Sequence, residues 1–322
     1  MQPTNTKKSK PGKIILRYIM KTLLRYYFLP LFALLAGSVS AKLNVVATTP
    51  DLGAIARAIG GDQIDLTILA KPTEDPHFVD AKPSFIVKLN RADALIEGGA
   101  ELESGWLTPL LEGSRNARLD AGKPGRIAAA EGVPLLEIPS ALDRSQGDIH
   151  AAGNPHYLTD PINAEIVAAH VARSLSQLDA GAAETYARNL RTFKEQLDAK
   201  MMEWRTLLAP YKGRQIVTYH NYWIYFGARF GFPMELFLEP KPGIPPTPAH
   251  LAEVITKMKA GNMKLLTVQP YQNRKTAETV ASHTSATVAD WPSFPGGKGT
   301  ESYVDWIDFL VKSIAQGFAP AK

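Results

Sequence analysis

The amino-acid sequence predicts an α/β protein of two lobes, each a mostly parallel sheet flanked by helices, joined by one long rigid α-helix. Three observations carry this. From Lys42 onward, short β-rich runs alternate with longer helical ones, the rhythm of parallel strands joined by crossover helices. Residues 182–208 interrupt that rhythm with a single apolar stripe at helical spacing. After Pro210 the alternation resumes.

Taken in order, Asn44 to Thr48 ("NVVAT") reads as the first strand, and Thr49-Pro50 supplies an N-cap and first-turn pair for a helix through Ala58. Ile64 to Ala70 is the next strand, a helix follows Pro83, and Ala94 to Glu97 before Gly98-Gly99 is a third strand. Tyr186, Leu190, Phe193, Leu197, Met201, Trp204 and Leu208 then recur every three or four residues, one face of a helix that Pro210 ends. The second series comprises strand Gln215 to Tyr219, a helix from Asn221, strand Met234 to Leu238, and a helix after Thr247-Pro248. Strand Lys264 to Val268, helix Arg274 to His283, strand Thr287 to Ala289 and a final helix from Glu301 complete it. The division expected is 1–41 signal peptide, 42–181 N-terminal α/β lobe, 182–210 linking helix and 211–322 C-terminal lobe.

The formal charge of +5 is not spread evenly. Seven Lys and Arg and no acid fall in residues 1–41, so the rest of the chain carries −2 and nucleic acid is a poor partner. The leader has basic residues through Arg25, an apolar run Tyr26 to Ala36 and small residues to Ala41, the order of a cleavable export signal that is too short to remain as a membrane span. Met20-Lys21 reads as the natural start of such a signal, which makes residues 1–19 an upstream extension. The chain has no cysteine, so disulfides are out of reach and so is the usual lipid-accepting thiol. The expectation is a monomeric, soluble periplasmic protein that is not a lipoprotein.

Seven histidines could carry chemistry. His77, His156 and His220 sit where a parallel sheet builds its sites, beyond strand ends or in the loop before a helix. Pro76 and Pro155 precede two of them and restrict the backbone, which lowers the entropy lost when a ring is held on a metal. One histidine alone reads as a surface or core residue; three in such positions read as nitrogen ligands for zinc or manganese. Asp160 caps a helix with Pro161 behind it, and Asp75 forms a turn or orients an imidazole. His150 reads as an exposed loop residue, with the passing of a metal inward as the alternative, and His170, His250 and His283 belong to helices.

These residues lie in segments that resemble the cluster A-I substrate-binding proteins of zinc and manganese ABC importers. The resemblance runs from about Leu43 to Phe318 through "DPHFVDAKPSFIVKLNRADALIEGGAELESGWL", "NPHYLTDPINAEIVA", the long helix, "TYHNYWIYFGARFGF" and "ESYVDWIDFLVKSIAQGF". It implies one divalent ion in a cleft between the lobes, held by His77, His156, His220 and an acid after a late strand, for which Asp290 is the match. Glu239 or a water are the alternatives for that fourth position, and Gln269 stands where many relatives have an acid. The His-rich insertion of zinc-specific relatives is missing. The implied function is periplasmic capture of a divalent metal, zinc ahead of manganese or iron(II), and its delivery to an inner-membrane ABC permease.

Two other classes compete. A secreted zinc hydrolase could use three histidines and a carboxylate, but nothing resembles an H-E-x-x-H motif and no Ser, His and Asp set stands at suggestive spacing. An adhesin or a binder of larger ligands such as siderophores would not need converging histidines.

Overall fold

Two parallel sheets are stacked along one long helix in the computed structural model, which describes residues 1–4, 41–141 and 147–319. The expected signal peptide therefore falls almost wholly outside the described residues. The first sheet has strands β1 (Leu43–Ala47), β2 (Ile64–Ile68), β3 (Ala94–Glu97) and β4 (Arg126–Ala128) in the order β2-β1-β3-β4. All pairings are parallel, with Val45 opposite both Leu66 and Ala94. The central strands are apolar almost throughout because helices cover both faces. Helices α1 (Pro50–Gly60), α2 (Pro83–Arg91) and α3 (Leu107–Ser114) make the crossovers, and β4 and α3 are elements that the sequence pattern did not reveal.

After α4 (Pro161–Leu178), the 26-residue helix α5 (Ala183–Leu208) spans roughly 39 Å at 1.5 Å per residue. Its stripe of Tyr186, Phe193, Leu197, Met201, Trp204 and Leu208 is buried, as its spacing dictates. Near its start Asn189 donates to the Ile59 carbonyl at the end of α1 (2.9 Å), and toward its end the Trp204 indole donates to Asp308 (3.0 Å). One helix thus bonds to elements of both sheets' lobes, and one continuous apolar core runs from Val45 through α5 to Phe318.

The second sheet is β5 (Val217–Thr218), β6 (Leu265–Val268) and β7 (Thr287–Asp290), parallel and in that order. Helices α6 (Ile224–Phe230), α7 (Pro248–Ala260), α8 (Arg274–Thr284) and α9 (Tyr303–Phe318) surround it. The strand expected over Met234 to Leu238 does not form. Ile216 N–H bonds to Pro233 and Thr218 N–H bonds to Leu236, so two residues on one side face three on the other and the ladder loses register. Only an isolated bridge from Thr218 to Phe237 remains, and the irregular segment ends on Glu239, whose N–H bonds to the Tyr219 carbonyl.

Candidate metal centre

Each of the three histidines is mounted by hydrogen bonds, some within its own turn and some from distant segments. His77 follows β2 in a turn closed by Asp75, whose Oδ1 accepts from the His77 backbone N–H (3.0 Å) and from its Nδ1 (2.9 Å). The Trp106 indole donates to the Pro76 carbonyl (2.9 Å) and fixes that turn from behind. His156 precedes a 3₁₀ turn (Tyr157–Thr159), and its N–H bonds to Asn154 Oδ1 (2.9 Å). The neighbouring Tyr157 hydroxyl donates to the Gly98 carbonyl just past β3 (2.6 Å). His220 lies two residues beyond β5, ahead of a 3₁₀ turn, and its Nδ1 donates to Glu239 Oε2 (2.7 Å). Asn154 Nδ2 donates to the Asn221 carbonyl (2.9 Å), which ties the mount of His156 to that of His220.

The three rings converge. Centroid separations are 5.1 Å for His77 and His156, 5.7 Å for His77 and His220, and 5.4 Å for His156 and His220. One ring nitrogen from each lies within 4.8 Å of the others. With Nδ1 engaged by a carboxylate in His77 and His220, Nε2 is the nitrogen each has left to offer, the arrangement in which metal-bound imidazoles are held. His156 stacks on Tyr222 at 4.0 Å, and its Nε2 is buried without a hydrogen-bond partner. A buried, unsatisfied ring nitrogen within a cluster of imidazoles is a cost that a bound cation removes.

The electrostatics keep the centre ready for a cation. Burial, reinforced by the neighbouring His77, His220 and His150, drives the His156 imidazole well below its ordinary value, so it stays neutral. Burial, followed by the neighbouring His77 and His220, lowers His150 to about 4. Burial alone would raise Asp75, but its hydrogen bond to His77 and the nearby His77 and His220 outweigh burial and hold its carboxyl below the usual range. Neutral imidazoles backed by ionised carboxylates are the protonation states that metal binding requires.

Asp290 is not brought to the three histidines. It ends β7 opposite Val268, its side chain is 72% exposed, and it forms an ion pair with Arg274 at the start of α8. Glu239 does reach the centre, but as the partner of His220 Nδ1 instead of a member of the converging nitrogen set. Asp75 is likewise an orienting group, whereas Asp160 caps α4 and pairs with Arg229 (2.7 and 2.8 Å). Gln269 is buried and bonded to Ser293 and Gln272. His150, expected as an exposed loop residue with the passing of a metal inward as the alternative, is half-buried, and its ring stacks 5.4 Å from that of His77 at 27°. Its six-residue separation from His156 was the one signal in the sequence.

Residues 45–317 match the family model described as ZnuA, zinc-uptake complex component A, periplasmic. The chain belongs to the ZnuA family. A metal ABC transporter substrate-binding lipoprotein, ScbA of Streptococcus cristatus, is 28% identical over 290 residues, covering 87% of this chain and 90% of that protein. A manganese ABC transporter substrate-binding lipoprotein, PsaA of Streptococcus mitis, is 27% identical over 287 residues, covering 86% and 90%. Among solved structures, the crystal structure of ZnuA superposes with a TM-score of 0.74 at 22% identity, covering 86% of this chain and all of that one. This ZnuA-family chain is a metal-binding substrate-binding protein of the ABC-transporter type and not an enzyme, so the hydrolase alternative falls away. The expectation of a free periplasmic protein that is not a lipoprotein is overturned as well, since these relatives are named lipoproteins. The absence of cysteine bears on thiol-linked lipid alone and does not fix where such a protein is held.

Proposed function

We propose that the chain captures one divalent transition metal on His77, His156 and His220, with zinc preferred, and passes it to an ABC permease. The observation that carries this reading is the convergence of three imidazole nitrogens within 4.8 Å, two of them backed by carboxylates. A nitrogen-rich set favours zinc, because manganese is better served by more oxygen ligands. The manganese named for the Streptococcus mitis relative is the competing cargo. Asp290 has no part in this binding set. In this reading α5 spans the lobes 42–181 and 211–322 and limits their relative motion, which the bonds of Asn189 and Trp204 support.

The test is competitive titration of the metal-free protein with zinc and manganese, followed by elemental analysis. One equivalent of zinc held more tightly than manganese, and lost on His156→Ala, is expected. Equal or reversed preference overturns the zinc assignment, and undiminished binding by His156→Ala overturns the ligand set.

A further inference from the structure

We infer that His150 is a fourth imidazole ligand of the bound cation, completing a four-nitrogen set with His77, His156 and His220. This rests on the metal-capture reading above and extends it to a residue outside the converging trio. The three carboxylates considered above for orienting or binding roles each have another occupation. Asp75 and Glu239 hold the Nδ1 atoms of His77 and His220, and Asp290 is paired with Arg274. A tetrahedral cation on three nitrogens has one position left, and it needs a donor.

His150 is placed to supply it. Its ring lies against His77, and it lines a cavity of about 230 Å³ together with His156, His220, Pro155 and Pro242. Its ring nitrogens have no hydrogen-bond partner among the described residues, so drawing the ring onto a cation breaks no existing polar contact.

The segment that carries His150 is built, not slack. On one side Asp148 N–H bonds to the Pro242 carbonyl (2.9 Å), and Gly147 lies so close that a Cβ there would stand 2.3 Å from the same oxygen. Gly147 also has φ +83°, a conformation open to glycine and strained for other residues. On the other side Ala151 N–H bonds to Glu101 Oε2, and Asn154 N–H bonds to the Leu136 carbonyl (2.8 Å). Residues 147–154 therefore form a strap fastened to the second lobe through Pro242 and to the first through Glu101, with His150 between the fastenings. The four-nitrogen set distinguishes zinc from manganese more sharply than three nitrogens and an oxygen would.

X-ray absorption spectroscopy of the zinc-loaded full chain, combined with zinc release into a chelator, tests this. Four imidazole donors in the native protein and three in His150→Ala are expected, with release accelerated about 10-fold or more in the variant. His150→Gln, which keeps the bulk of the side chain, should behave as His150→Ala does. Three imidazoles in the native spectrum, with unchanged release from both variants, overturn the inference while leaving the three-histidine site standing. A native protein that takes up no zinc overturns both.

Discussion

Glu239 Oε2 lies 2.7 Å from His220 Nδ1, although 19 residues separate them and the strand expected just before Glu239 does not form. The same relation holds between Asp75 and His77 at 2.9 Å. Each carboxylate fixes a tautomer and aims Nε2, so the directional part of the site is set by residues that are not themselves among the converging histidines.

Glu239→Ala should therefore weaken zinc binding about 10- to 100-fold while the protein remains folded. Calorimetric titration beside an unchanged circular dichroism spectrum checks it. Affinity equal to that of the native protein would show that His220 is oriented by packing alone.

Asp290→Asn separates the site seen in the structure from the one that family likeness implied. Zinc affinity should change less than twofold, because the carboxylate is largely exposed and turned to Arg274. Loss of the pair should cost about 1 kcal/mol of stability or less. A large fall in affinity would restore Asp290 as a ligand.

Metal should stabilise the fold in proportion to its free concentration. At 100 times the dissociation constant the gain is about 2.7 kcal/mol, read as a rise in melting temperature that a chelator reverses. His156→Ala should abolish that rise, since it removes the buried nitrogen that lacks a partner.

A buried carboxyl away from the histidines should give a pH signature. Glu103 accepts from Thr48 Oγ1 (2.6 Å), Gly98 N–H (2.6 Å) and Gly99 N–H (3.2 Å), yet burial outweighs these donors and raises its pKa from 4.5 to about 7. Between those values the folded state holds more protons than the unfolded one, so this contribution is present below pH 4.5 and lost as the pH rises through 7. The stability of the metal-free native protein relative to Glu103→Gln should fall with rising pH in that window, on the order of 1.4 kcal/mol per unit at its steepest. Asp51, raised to about 6 by burial, is present in both proteins and drops out of the difference. Parallel pH profiles would show that Glu103 is ionised throughout.

Local pattern was a sound guide to some elements and a poor one to others. The α5 stripe, the strand at Ala94–Glu97 and the Asp160 cap with Pro161 behind it all depend on neighbours within a few residues, and each stands as its spacing requires. Strand β4 has only three residues and owes its existence to β3 beside it, which a one-dimensional pattern does not show. The Met234 to Leu238 run is apolar enough for a strand, but its pairing with β5 slips by one residue.

The sequence by itself determined that there are two parallel sheets joined by a long helix, and that His77, His156 and His220 are candidates for one centre. Those conclusions follow from periodicity and from histidines placed beside prolines and strand ends. Only the tertiary structure decided which carboxylates serve the imidazoles, that Asp290 is held by Arg274, and that His150 lies against His77. These are contacts between segments from two to 73 residues apart, and their geometry depends on how the sheets, the strap and α8 pack together, which spacing along the chain does not encode.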